Sequence, residues 1–217
     1  VLETLGACIE LSPERVEYCM REVGFGFLFA PAFHRAMRHA VGPRREIGIR
    51  TVFNILGPLT NPAGARYQLI GVFDRRWVQP LAEALGRLGS AHALVVHGDD
   101  GLDEISLTGP TSVSEWGPQG VQSFSIDPGD FGFPRCELAE LQVSSAQESA
   151  DIIRSVLAGA PGPHRNIVLL NAGAALYAGD AVESLLAGVQ LAEKTVDSGA
   201  AARTLERLIP LTHVETV

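Results

Sequence analysis

Cysteine, methionine and aromatic residues are scarce in this sequence, cations are outnumbered, and no apolar run is long. The three cysteines, Cys8, Cys19 and Cys136, are odd in number and widely spaced. They form neither a zinc pattern nor a disulfide framework, and they fit a reducing cytoplasm. The longest aliphatic stretches, such as residues 167–170, fall far short of the roughly 20 residues a bilayer needs, which excludes a membrane-spanning helix. The opening residues Val1, Leu2, Glu3, Thr4, Leu5 and Gly6 have no basic or long apolar region and are no signal peptide. They lack an initiator Met and open in mid-pattern, as a piece of a longer chain would. Against 25 Asp and Glu stand only 17 Lys and Arg, a net charge of −8. Such a surface repels phosphate backbones and argues against nucleic-acid partners. A small anionic substrate can still bind, provided the few cations are focused at one site. There is no P-loop, nucleophile elbow or paired-cysteine zinc site. Gly24-Phe25-Gly26 lacks the third glycine of a dinucleotide fingerprint and follows no clear strand.

What is present is enough for a large domain. Of the 217 residues 46% are hydrophobic, so the chain buries a core without disulfides and is not wholly disordered. Ser12 and Pro13 open a helix over 13–22, with Val16, Cys19 and Met20 on one face. Residues 25–29 make a short apolar strand or turn. A second helix starts at Ala32 and a third at Pro43. Strand–helix–strand follows over 67–73, 77–88 and 91–96, with Asp74 as the cap, which implies a right-handed crossover and a parallel pair. Residues 105–145 read as β-rich and 145–157 as helical. Residues 166–170 read as a strand feeding a small-residue helix from Asn171, and two helices close the chain over 181–198 and 199–208. The architecture is α/β.

Three groups of residues carry candidate chemistry. His97-Gly98-Asp99-Asp100-Gly101-Leu102-Asp103-Glu104 follows the second strand, at the carboxyl end of a parallel pair, where open α/β sheets bind ligands. Adjacent carboxylates there can hold a hard cation that keeps waters and bridges to phosphates. A solvated acidic turn is the commoner use of such a run. Arg44, Arg45 and Arg50, with His34 and Arg38, gather cations in a chain short of them. They can grip carboxylate or phosphate in a bidentate way, or they can be Arg–Glu pairs on a solvent-facing helix. The third group, residues 54–62, carries Gly57-Pro58 and Asn61-Pro62, suited to a close backbone approach or simply to a tight connection.

Taken together, Phe29-Ala30-Pro31, His34, Ala36-Met37, the Arg44-Arg45-Glu46-Ile47-Gly48-Ile49-Arg50-Thr51-Val52-Phe53-Asn54 run and Leu56-Gly57-Pro58-Leu59-Thr60-Asn61-Pro62 closely resemble the anthranilate phosphoribosyltransferases of tryptophan biosynthesis. The acidic run and Asn171-Ala172-Gly173-Ala174-Ala175-Leu176-Tyr177 match that family in order and place. The resemblance covers essentially the whole chain. It implies an α/β fold with a mixed, largely parallel sheet flanked by helices, the large domain of the nucleoside phosphorylase/phosphoribosyltransferase superfamily, with part of a small helical domain. It implies transfer of a phosphoribosyl group from 5-phosphoribosyl 1-diphosphate to anthranilate. Arg44 is then expected to clamp the anthranilate carboxylate and His34 to line its route. Ala30, Pro31, Met37, Gly57 and Pro58 would shape the tunnel, and Asp103 and Glu104 would hold Mg²⁺.

The family's Gly-Thr-Gly-Gly-Asp and Lys-His-Gly-Asn-Arg segments, which bind phosphoribosyl diphosphate, do not occur here. Residues 1–217 are therefore expected to be an amino-terminally incomplete domain, with 32–62 packing on an absent small helical domain through which the family dimerises. The isolated chain is expected to be inactive or nearly so. A pyrimidine nucleoside phosphorylase of the same superfamily is the enzyme alternative, although a carboxylate clamp has no purpose with thymine. A non-catalytic nucleic-acid-binding relative is the other, and the −8 charge and Asp103-Glu104 speak against it.

Overall fold

The computed structural model describes residues 1–33 and 53–213. The expectations that fall on His34, Met37, Arg38, Arg44, Arg45 and Arg50 lie outside the described residues. In chain order the elements are α1 (Leu2–Leu5), α2 (Pro13–Val23), α3 (Ala30–Phe33), α4 (Phe53–Leu59), β1 (Tyr67–Gly71), α5 (Val78–Arg87), β2 (His92–Gly98), β3 (Thr111–Gly117), β4 (Gly120–Ile126), α6 (Ala146–Leu157), α7 (Pro163–Ala178), α8 (Leu185–Asp197) and α9 (Ala200–His213). They divide between two compact units. One comprises Val1–Thr51, Val143–Gly159 and Val196–Val217, the other Val52–Gln142 and Ala160–Thr195.

The first unit is helical. Ser12 caps α2 by accepting the Arg15 N–H at 3.2 Å, and Pro13 occupies the first turn, where its missing N–H costs nothing. Gly24, at φ 76°, ends the helix in a left-handed cap. Val16 and Cys19 are buried on one face, while Met20 stays exposed. Arg15 is buried too, and its guanidinium donates to the Leu211 carbonyl at 2.6 Å, taking up an acceptor the end of α9 leaves unpaired. Cys8 N–H donates to Thr212 Oγ1 at 3.0 Å, which holds α9 to the segment after α1. Residues 25–29 form no strand; Phe27 and Phe29 stack with ring centroids 6.4 Å apart.

The second unit holds a four-stranded sheet in the order β1-β2-β3-β4. β1 and β2 pair in parallel, with Tyr67 opposite His92 and Gly71 opposite Val96. The other two pairings are antiparallel. The sheet is thus mixed, as expected, but its parallel part among the described residues is the β1–β2 pair alone. A tight connection, Pro118-Gln119, joins β3 to β4 and forces the antiparallel return. Strand content ends at Ile126, so only the first half of the expected β-rich stretch is β.

Every residue of β2 is buried, which accounts for its nearly continuous apolar run. Val78, Leu81, Ala82 and Leu85 recur along one face of α5 and meet Ile70, Ala93 and Val95 of the sheet and Val72 just after β1. Asp74 accepts from the Arg76 N–H at 3.0 Å and caps a 3₁₀ turn, Arg75–Trp77, which leads into α5.

A further expectation is overturned. Residues 166–170 are not a strand but the interior of α7. A four-residue apolar run does not distinguish strand from helix, and here Pro163 starts a helix that continues through Asn171 and the small residues after it. Leu169, Leu170, Gly173, Ala174 and Ala178 are among its buried residues, and α7 packs on β1 and β2. The small residues serve a crossing with α8: a Cβ on Gly173 would lie 2.5 Å from Val189 N, and one on Gly188 would lie 2.2 Å from the Gly173 carbonyl oxygen.

Candidate functional site

The acidic run leaves the carboxyl end of β2 as a tightly hydrogen-bonded loop. His97 is a core histidine: it is buried, and its Nδ1 lies 2.8 Å from the Val72 carbonyl oxygen beyond β1. Gly98 N–H donates to Leu102 O at 2.9 Å, and Asp99 N–H donates to Pro110 O at 3.0 Å, so the loop closes on itself and on the entry to β3.

The four carboxylates then divide by role. Asp100 accepts from the Leu102 N–H at 3.0 Å and from the hydroxyls of Ser106 and Thr108 at 2.5 and 2.6 Å. Burial alone would raise its carboxyl. The two hydroxyls and the N–H outweigh that and hold it below the usual carboxylate range. Asp100 is therefore the loop's internal tie. Asp99 faces Arg75 at 4.0 Å, an exposed pair worth little.

Asp103 and Glu104 are different. Both are exposed, and their side chains make no hydrogen bond or ion pair among the described residues. Protein packed around the Glu104 carboxyl desolvates it, and the neighbouring Asp103 charge adds to the effect, so its proton affinity is raised. Two adjacent carboxylates that repel each other and lack a cation partner make a donor set suited to a hard divalent ion. No group of three His, Cys, Asp or Glu among the described residues could hold a metal. A cation on this pair would take its other ligands from water or from a bound phosphate.

The backbone under the pair is fixed from two sides. The Asp103 carbonyl sits where a Cβ on Gly71 would be, 1.5 Å from that ideal position, so only glycine at the end of β1 admits the loop. From α7, Asn171 Oδ1 accepts the Ile105 N–H at 2.9 Å and its Nδ2 donates to Ile105 O at 2.9 Å. Ser106 N–H donates to Thr111 Oγ1 at 3.0 Å. Sequence reasoning did not single out Gly71, Ser106, Thr108 or Thr111, and it gave Asn171 no role. The signal available was an Asn inside a run of Ile, Val, Leu and Ala, where helix propensity disfavours it.

The remaining expected residues lie elsewhere. Ala30 and Pro31 open the short helix α3 in the first unit, both exposed. Gly57 and Pro58 lie in α4 of the second unit. Pro58 lines a recess of about 150 Å³ with Arg66, Gln68, Leu85 and Ser90, at the end of β1 opposite Asp103. A larger recess of about 350 Å³ is lined by Arg75, Gln79 and serines of β3 and β4. Neither recess is lined by Asp103 or Glu104.

At the start of β2 lies a second polar cluster. His92 places Nδ1 2.7 Å from Asp180 Oδ1 and Nε2 2.8 Å from Glu115 Oε1, and Tyr177 OH donates to the same Glu115 oxygen at 2.7 Å. Burial, then the Glu115 hydrogen bond and charge, push the Tyr177 phenol up to about 12.

Residues 1–202 match the family described as "Glycosyl transferase family, a/b domain". The chain is 55% identical over 212 residues to the anthranilate phosphoribosyltransferase of Thioalkalivibrio sulfidiphilus, covering 98% of this chain and 63% of that protein. Among solved structures, anthranilate phosphoribosyltransferase from Thermus thermophilus matches with a TM-score of 0.92 and 45% identity, over 98% of this chain and 63% of its own. The Saccharomyces cerevisiae enzyme in complex with PRPP and Mg matches with a TM-score of 0.88 and 30% identity, over 97% of this chain and 61% of its own. The chain thus spans less than two thirds of the length of these relatives.

Proposed function

Because the chain belongs to the glycosyl transferase family through its a/b domain, we propose that a protein of the relatives' length containing it transfers the phosphoribosyl group of 5-phosphoribosyl 1-diphosphate to the amine of anthranilate, releasing diphosphate, in tryptophan biosynthesis. The observation that carries this reading is the pair Asp103 and Glu104, whose side chains have no partner among the described residues, held on a fixed backbone at the carboxyl end of β2. The likeness to enzymes of that name over 98% of the chain supports it.

Asp103 and Glu104 would hold Mg²⁺, which when bound neutralises charge on the departing diphosphate. The N–C1 bond forms as the bond from C1 to the diphosphate oxygen breaks. The electron pair leaves on that oxygen and the amine proton goes to water. No protein nucleophile is needed, so the aromatic side contributes mainly position. Arg44 clamps the anthranilate carboxylate through its two-pronged guanidinium. His34, Met37, Ala30, Pro31, Gly57 and Pro58 line the path. These roles rest on the family resemblance. In the longer protein, residues 32–62 pack against a small helical domain, the whole forms a homodimer, and it works in the cytoplasm, in keeping with three free cysteines.

The test follows anthranilate fluorescence in that longer protein after addition of PRPP and Mg²⁺. Arg44→Ala is expected to raise KM for anthranilate. The double variant Asp103→Asn/Glu104→Gln is expected to raise the Mg²⁺ requirement. A flat trace from the folded wild-type protein refutes the reading.

A further inference from the structure

We infer that Asn171 is a positioning residue whose side-chain amide sets where Asp103 and Glu104 stand. The inference rests on the reading of that pair as magnesium ligands. A primary amide offers one carbonyl oxygen and two N–H donors, and Asn171 commits all three groups. Oδ1 takes the Ile105 N–H at 2.9 Å, and Nδ2 gives one hydrogen to Ile105 O at 2.9 Å and the other to Ile167 O at 3.0 Å. Turning the amide over would set NH₂ against N–H and oxygen against two carbonyls, so its orientation is determined.

The peptide geometry shows what the clip controls. The Ile105 N–H lies in the plane joining Glu104 to Ile105, so Asn171 fixes the plane on the carboxyl side of Glu104. The Asp103 carbonyl lies in the plane joining Asp103 to Glu104, and that plane is seated against Gly71. Both planes flanking Glu104 are therefore held, while its side chain has no partner among the described residues. Two adjacent carboxylates repel, and an unheld loop would splay to separate them. Here α7 and β1 hold the backbone against that splaying, so the donors stand ready before any cation arrives. The clip also accounts for an Asn in the middle of α7, where its intrinsic propensity is poor.

The test uses this chain, ¹⁵N-labelled, with substoichiometric Mn²⁺ as a paramagnetic probe. Wild type should lose amide signals of Asp103, Glu104 and Ile105 selectively. Asn171→Ala and Asn171→Leu should need roughly tenfold more Mn²⁺ for the same loss, the range seen when a supporting residue behind a metal ligand is removed. Without metal, the Ile105 amide should exchange roughly tenfold faster in both variants, the equivalent of one lost hydrogen bond. The two variants differ in volume. A packing defect would separate them, and loss of the clip would not. Unchanged Mn²⁺ broadening and Ile105 exchange in both variants, or divergent behaviour between them, overturns the inference. No selective broadening at the pair in wild type overturns the magnesium reading instead.

Discussion

Gly71→Ala tests the loop's seating on β1. The new methyl would be centred 1.5 Å from the Asp103 carbonyl oxygen and 2.4 Å from its carbon, both backbone atoms that no rotamer change can move. Overpacking in a fixed site costs about 1–3 kcal/mol, and a backbone obstacle places this one near about 3. Replacing glycine in a strand returns about 0.5–1 kcal/mol by reducing the unfolded chain's freedom. The net loss is then about 2 kcal/mol, or roughly 4–8 °C in Tm for a chain of this size. Thermal melts followed by circular dichroism give the stability, and ¹⁵N spectra report whether residues 98–106 shift. Gly117→Ala is the control, because nothing among the described residues lies within 4 Å of its added carbon, and it should stay within about 0.5 kcal/mol of wild type. A Gly71→Ala variant as stable as this control, with unshifted loop signals, would refute the argument that β1 seats the acidic loop.

Two further outcomes follow from the polar networks. Tyr177 should titrate near pH 12, about 2 units above the ordinary phenol near 10. Its folded value is the higher, so the stabilisation is complete below pH 10 and is lost as pH rises toward 12, about 1–2 kcal/mol in all once solvent screening is allowed for. Tyr177→Phe should remove that alkaline component, seen as the loss of the tyrosinate absorbance step near pH 12. Asp100→Ala strands the hydroxyls of Ser106 and Thr108 and should destabilise by about 2 kcal/mol in denaturant melts at pH 7. Because the folded Asp100 carboxyl lies below its ordinary value, the difference from wild type should shrink as pH falls through that folded value.

Local signals accounted for much of the fold. Ser12-Pro13 before an amphipathic run, Asp74 before another, and the unbroken apolar stretch of β2 each encode an element within about ten residues, so α2, α5 and β2 were legible. The place of the acidic run, directly after a buried strand, was legible too. Division of labour within that run was not. His97 became a core histidine because the chain leaving β1 supplies a carbonyl at 2.8 Å, and Asp100 became a tie because Ser106 and Thr108 turn back toward it. Residues 166–170 failed as a strand because four apolar residues carry no usable period, and the choice fell to the helix that Pro163 starts and that β1 and β2 receive.

What the sequence determined by itself, then, was each element whose signal lies in neighbouring residues, and the presence of a carboxylate pair after a buried strand. The tertiary structure alone decided which carboxylates have no partner among the described residues and what holds their backbone. Gly71 lies 32 residues before Asp103, and Asn171 is 66 residues beyond Ile105. Contacts over such separations follow from how the sheet and helices pack, and short-range pattern carries no record of them.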